Sequence, residues 1–297
     1  MNRISRGTPA GDAYLDLKNQ AQRTGRTTQE LLQLYVLEGF LARLAASPVR
    51  DNFVLKGGVL LAAFDTRRAT KDVDLAGRNL PNSTEAVLEL VQAVLGVAHA
   101  DDGIEFFPDT ATTDVIRDED QYSGVRVHVD ARLASARLPF HVDVNVGDPI
   151  WPEPRPVEVP RLRGGDPIRI AGYPIHMVHA EKIVTAVQRG TANTRWRDFG
   201  DIYTLSRRHP INGSDLQRAI QEVARGRKAT LAPLEEVLDG YAAIAQTRWA
   251  AWRRRNTSNH LPEQFAEVLV DVLRFAEQPL RGDVDGLVWD PHLAAWQ

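Results

Sequence analysis

Not one cysteine occurs among the 297 residues of this chain, which excludes both a disulfide framework and a thiolate metal site. No apolar run approaches the roughly 18 residues that cross a bilayer. Residues 1–11 are polar and lack the apolar core of a secretory signal. A cytoplasmic location with no membrane partner is the expectation that follows. Strong charge of either sign is missing too: the net charge of −3 offers no global basic field for nucleic acid. Internal repeats and low-complexity tracts are also absent.

What is present is an ordinary globular composition, 43% hydrophobic and 25% charged, in a chain long enough for two domains. Its charge is uneven. Residues 1–150 hold 16 Lys/Arg against 21 Asp/Glu, a balance of −5, whereas residues 151–297 hold 20 against 18, a balance of +2. Basic clusters recur in the second half, Arg207-Arg208 and Arg253-Arg254-Arg255 among them. Each alone reads as a solvated face; together they leave room for a local RNA-binding surface.

The stretch between Lys56 and Asp74 carries the chemistry. Lys56-Gly57-Gly58 opens a phosphate-sized gap in the backbone, and Asp72-Val73-Asp74 follows. Residues i and i+2 of a strand share a face, so Asp72 and Asp74 project together while Val73 and Leu75 enter the core. Neighbouring carboxylates repel unless cations lie between them. Hard oxygens of this kind suit Mg²⁺, or Mn²⁺, bound together with substrate phosphates. Gly-Gly alone marks a turn, and Asp-x-Asp alone a solvated edge. With Arg67, Arg68, Thr70 and Lys71 between them, they read as a site for a metal-bound nucleoside triphosphate (NTP). Two-metal transfer needs a third carboxylate facing the pair. Asp143, in mid-strand among valines where Asp is otherwise unfavourable, is the first candidate. Asp130, at a strand end, is the second. His128 and His141 alternate outward and read as surface residues.

The surrounding pattern predicts an α+β fold. Thr27-Thr28-Gln29-Glu30 is a capping-box sequence opening an amphipathic helix to Ala46, with a weaker helix over 13–23 before it. Short strands are expected at 53–55 and 72–75, and alternating ones at 125–131 and 140–146. A helix begins near Val59, and a capped one over 82–98 starts at Asn82-Ser83-Thr84-Glu85. The proline-rich stretch 149–160 is a connection or an edge strand. Helices follow at 176–190, 195–208, 214–225, 234–255 and 262–277, and the last 15 or so residues read as a tail. The domains expected are 1–170, N-terminal helices plus a sheet-based core, and 171–297, helical.

The ordered set Lys56-Gly57-Gly58, Thr70-Lys71-Asp72-Val73-Asp74, Ala180-Glu181-Lys182 and Arg195-x-Arg197-Asp198-Phe199-x-Asp201 resembles the AbiEii/AbiGii nucleotidyltransferase toxin family, within the DNA polymerase beta superfamily. The resemblance runs from the helix before Ser47 to about Leu205. It implies a polymerase beta-like mixed sheet flanked by helices, with a C-terminal helical domain, and a toxin neutralised by a cognate antitoxin protein. It also implies transfer of a nucleoside monophosphate from an NTP to the 3′ acceptor end of tRNA. By the same resemblance Gly57 and Gly58 match the phosphate-loop glycines and Asp72 and Asp74 the metal pair. Lys182 matches the triphosphate-contacting lysine, and Asp198 an essential acid. Asp143 is then expected at the second metal, helping to deprotonate the attacking hydroxyl. Val59 departs from the superfamily, which commonly places Ser or Thr at the glycine turn. Lys56 or Lys71 would then supply the side-chain contact to phosphate. The alternatives are nucleotidylation of a protein or small-molecule hydroxyl, or a silent module that binds antitoxin or RNA.

Overall fold

The computed structural model describes residues 4–81, 83–99, 101–117, 123–256 and 258–297. The chain forms two compact units, Met1–Gly147 with Arg155–Gly172, and Asp148–Pro154 with Tyr173–Gln297. Among the described residues no helix is long and apolar enough to cross a membrane.

The first unit is built on a seven-stranded mixed sheet. Its strands are β1 (Phe53–Lys56), β2 (Asp72–Gly77), β3 (Thr112–Arg117), β4 (Ser123–Val129), β5 (Phe140–Val146), β6 (Arg155–Val159) and β7 (Ile168–Gly172). They lie in the order β3-β4-β5-β2-β1-β7-β6. β2 and β5 run parallel, as do β1 and β7, while β1–β2, β4–β5, β3–β4 and β6–β7 are antiparallel. The proline-rich stretch thus ends as an edge strand, the place where a sheet tolerates proline.

Period-2 alternation gives the central strands one greasy and one polar face. Val73, Leu75, Val125, Val127, Phe140, Val142 and Val144 are buried on one side. Against that side lies α2 (Thr28–Ala46), with Phe40 edge-on to Phe140 at 5.7 Å. Thr27 Oγ1 caps α2 by accepting from the Glu30 N–H at 3.2 Å, while the Glu30 carboxylate pairs with Arg26. Before it, α1 (Pro9–Thr24) starts on a Thr8 cap and stops at Gly25 in the left-handed region. After β1 come the single-turn α3 (Gly57–Leu60) and a 3₁₀ turn, Leu61–Phe64; α4 (Thr84–Leu95) is capped by Ser83. Asn82, the first residue of the expected cap, lies outside the described residues.

The second unit is mainly helical, with α5 (Ile175–Arg189), α6 (Trp196–Ser206), α7 (Gly213–Gly226), α8 (Leu234–Val237), α9 (Tyr241–Arg255) and α10 (Phe265–Arg281). Its core is aromatic: Phe265 meets Phe199, Tyr241 and Trp249 at centroid distances of 5.4, 5.5 and 5.2 Å. Two expectations are corrected here. The helix predicted over 234–255 is broken, because Gly240 takes φ +70° and separates α8 from α9. The expected tail is structure instead. Val288–Asp290 pairs with Ile211–Asn212 and with Ala295–Trp296. Within it Trp289 is buried, donating its indole N–H to the Ser206 carbonyl at 2.7 Å.

Candidate active site

β1 delivers Lys56, and the backbone then swings through Gly57 at φ +65° into α3. Glycine is required there for two reasons. A left-handed φ is strained for any side chain, and a Cβ at Gly57 would lie 1.8 Å from Asp74 Oδ2. At Gly58 a Cβ would meet Thr70 Oγ1 at 2.8 Å. The glycine pair therefore lets the acidic strand press against the turn. Thr70 also donates its hydroxyl to Asp72, so the hydroxyl missing at Val59 is present at the turn from Thr70.

Across the polar face of the sheet, one rung reads Lys56, Asp74, Asp143, Arg126, Asp114, each directly opposite the next on neighbouring strands. The rung beside it carries Asp72, His141 and His128. Ligand oxygens of Asp72, Asp74 and Asp143 all lie within 4.8 Å of one another. Burial, reinforced by repulsion from Asp72 and Asp143, pushes the Asp74 carboxyl up to about 7, although Lys56 and Arg68 pull the other way. Three hard oxygens under mutual repulsion are a donor set that fits a divalent cation. Asp130 is exposed and lies outside this group.

Three contributors were not among the candidate site residues. Arg126 grips Asp143 with both arms of its guanidinium, Nε to Oδ1 at 2.8 Å and Nη2 to Oδ2 at 2.6 Å. Arg68 lies by Gly58, where a Cβ would approach its Nη1 to 3.1 Å. Thr70 is the third. Arg68 and Thr70 fall inside the motif segment, where the sequence reading set them between the glycines and the acids without giving either a role. Arg126 shows in sequence only as an outward residue of an alternating strand. Of the two candidate lysines, Lys56 is buried opposite Asp74, whereas Lys71 is exposed. Arg67 is occupied structurally, bonding Glu38 on α2 and the Pro160 carbonyl.

Comparison with known proteins decides the family. The family model described as "Nucleotidyl transferase AbiEii toxin, Type IV TA system" matches residues 39–271. The chain belongs to the AbiEii family. Among curated proteins none matches. A solved structure described as a "putative nucleotidyltransferase from H. pylori" is 13% identical, with a TM-score of 0.50, over 86% of this chain and 97% of that one. JHP933 from Helicobacter pylori gives 13% identity and a TM-score of 0.48 over 86% and 94%. At such identity the first of these shows the fold alone: a nucleotidyltransferase-like α+β arrangement.

AbiEii membership makes this chain a nucleotidyltransferase of a toxin–antitoxin family, and implies an NTP substrate, a divalent metal and an antitoxin partner. The remaining candidates of the AbiEii chain lie in its second unit. Lys182 on α5 sits between two carboxylates of α6, with Nζ 3.0 Å from Asp198 Oδ1 and 2.9 Å from Asp201 Oδ2. Asp198 and Asp201 are i, i+3 neighbours, so one face of α6 presents both. One turn before Lys182, His179 is wholly buried against Phe275, and that burial drives its pKa down to about 3.

Proposed function

We propose that this AbiEii protein moves a nucleoside monophosphate from an NTP to the 3′-hydroxyl at the acceptor end of tRNA, blocking translation in the cytoplasm until an antitoxin intervenes. The observation that carries the reading is the convergence of Asp72, Asp74 and Asp143 beside a glycine turn. Asp72, Asp74 and Asp143 would hold Mg²⁺, which when bound screens the triphosphate and makes the acceptor hydroxyl more acidic. Lys56 and Arg68 offset the carboxylates. Gly57 and Gly58 carry no side chains of their own, so Asp74 and Thr70 pack onto the turn and the carboxylates sit beside its backbone. Thr70 fixes Asp72 by its hydroxyl, and so orients one ligand before substrate arrives. Lys71, exposed beside Asp72, is free to swing toward an incoming phosphate. Lys182, braced by Asp198 and Asp201, keeps the triphosphate role that the family resemblance assigns it, neutralising charge on the departing pyrophosphate.

tRNA as acceptor is supported by that resemblance and by the +2 balance of residues 151–297. The test is incubation of the protein with each labelled NTP, total cell protein and purified tRNA. Label at the tRNA 3′ end is the expected result, and periodate oxidation of the terminal ribose, which destroys its 3′-hydroxyl, should abolish it. Label in protein or in a small hydroxyl compound, with none in tRNA, would overturn the acceptor assignment.

A further inference from the structure

Arg126 stands between two acids of its rung, Asp143 on β5 and Asp114 on β3. Asp114 is engaged by His128, with Nε2 2.7 Å from Oδ2, and the guanidinium turns wholly to Asp143. The grip is fork to fork, the strongest geometry of an arginine–carboxylate pair. Asp143 is largely buried, its side chain only 9% exposed, while Arg126 is 36% exposed and reaches the carboxylate from the solvent side. With Lys56 and Arg68 near Asp74, the three carboxylates face three cations.

We propose that Arg126 is a positioning residue that clasps Asp143, so that a divalent cation must share that carboxylate with a guanidinium and is held weakly until the triphosphate adds its own negative charge. The inference rests on the metal-site reading above. An arginine that merely aimed Asp143 would strengthen metal binding; one that competes for its oxygens and repels a cation weakens it. If nucleotide raises the affinity for metal, metal raises that for nucleotide by the same factor, so a site weak for metal alone fills mainly with the two together. The clasp thereby keeps the three carboxylates from being loaded with free cation.

The experiment measures Mn²⁺ binding to the full chain by calorimetry and by the loss of free-ion electron paramagnetic resonance signal. It compares the wild type, Arg126→Gln, Arg126→Lys and Asp74→Asn, with and without a non-hydrolysable NTP analogue. Removing one unit of positive charge at this range should tighten Mn²⁺ binding without nucleotide by about tenfold in Arg126→Gln. Arg126→Lys, which keeps the charge and loses the fork, should fall in between. The gain in Mn²⁺ affinity on adding the analogue should be smaller in Arg126→Gln than in the wild type. Since Arg126→Gln leaves Asp143 without its partner, its thermal midpoint should drop and then recover more with Mn²⁺ than the wild type's rises. Unchanged or weaker Mn²⁺ binding in both Arg126 variants would overturn the clasp while leaving the metal site standing. Wild-type binding that survives Asp74→Asn undiminished would overturn the metal site, and the clasp with it.

Discussion

Gly57 shows how much a missing side chain can decide. Its φ of +65° and the 1.8 Å approach of Asp74 Oδ2 to the place of a Cβ leave no accommodation for alanine except displacement of the acidic strand. Gly57→Ala should therefore cut nucleotide transfer by about 10²-fold, the scale of a ~1 Å misplacement near a reacting centre. Gly58→Ala, against the movable side chain of Thr70, should cost less. A pair of kcat/KM measurements on labelled tRNA checks the order. Asp74 gives a prediction in pH. Its folded carboxyl is raised from the ordinary value of 3.8 to about 7, so between those values the folded protein holds a proton that the unfolded chain releases. Stability from this group is full at low pH and is lost as pH rises toward 7. Asp74→Asn should remove that slope and melt above the wild type at pH 8 without added divalent cation, by about 2–4 °C per kcal/mol of repulsion relieved. It should also abolish transfer. Parallel pH-dependent melts of the two proteins, with wild-type midpoints that stay flat, would count against the raised carboxyl.

Among the elements, α5 and α6 make the least ambiguous test, because Lys182 both braces the second unit and is assigned to the substrate. Lys182→Ala removes the ammonium from between Asp198 and Asp201, which are 14% and 6% exposed. Breaking such a pair typically costs about 3–5 kcal/mol, so the variant should melt early as well as lose activity. Adding Asp201→Asn to Lys182→Ala should restore much of the thermal midpoint. Nucleotide affinity, measured by calorimetry, should stay weak in the double variant if Lys182 contacts the triphosphate. Recovery of both together would mean that its role is structural only. The helix patterns themselves were largely readable, since 3.6-residue periodicity and the Thr27 cap are local. The break at Gly240 was not: the run 234–255 contains no proline, and one glycine in a helical pattern is usually tolerated.

For the molecule as a whole, the C-terminal residues and the basic surface carry the predictions. Trp289 packs on Phe275 at 5.0 Å and binds the Ser206 carbonyl, so Trp289→Ala should cost about 3–5 kcal/mol, read from denaturant melts; an unaltered melt would restore the idea of a tail. Arg207 and Arg253 are tied to Asp271 and to the Leu261 carbonyl, whereas Arg254 and Arg255 are exposed. Neutralising Arg254 and Arg255 should lower the salt slope of tRNA affinity by about 0.7–0.9 for each phosphate that they neutralise in the wild type, measured by filter binding across a salt series. An unchanged slope would move the RNA-binding surface to another cluster. The sequence by itself determined the local facts: Asp72 and Asp74 share a face because a strand alternates, Gly57-Gly58 makes a turn, and the order of motifs identifies the family. Only the tertiary structure decided which strand lies beside β2. The parallel register that sets Asp74 opposite Asp143, and the antiparallel one that sets Arg126 opposite Asp143, join residues 17 to 69 positions apart. No periodicity encodes a pairing between separate strands. The packing of their shared valine face selects it, because a slip of one residue would turn Asp143 into the core and a valine out to solvent.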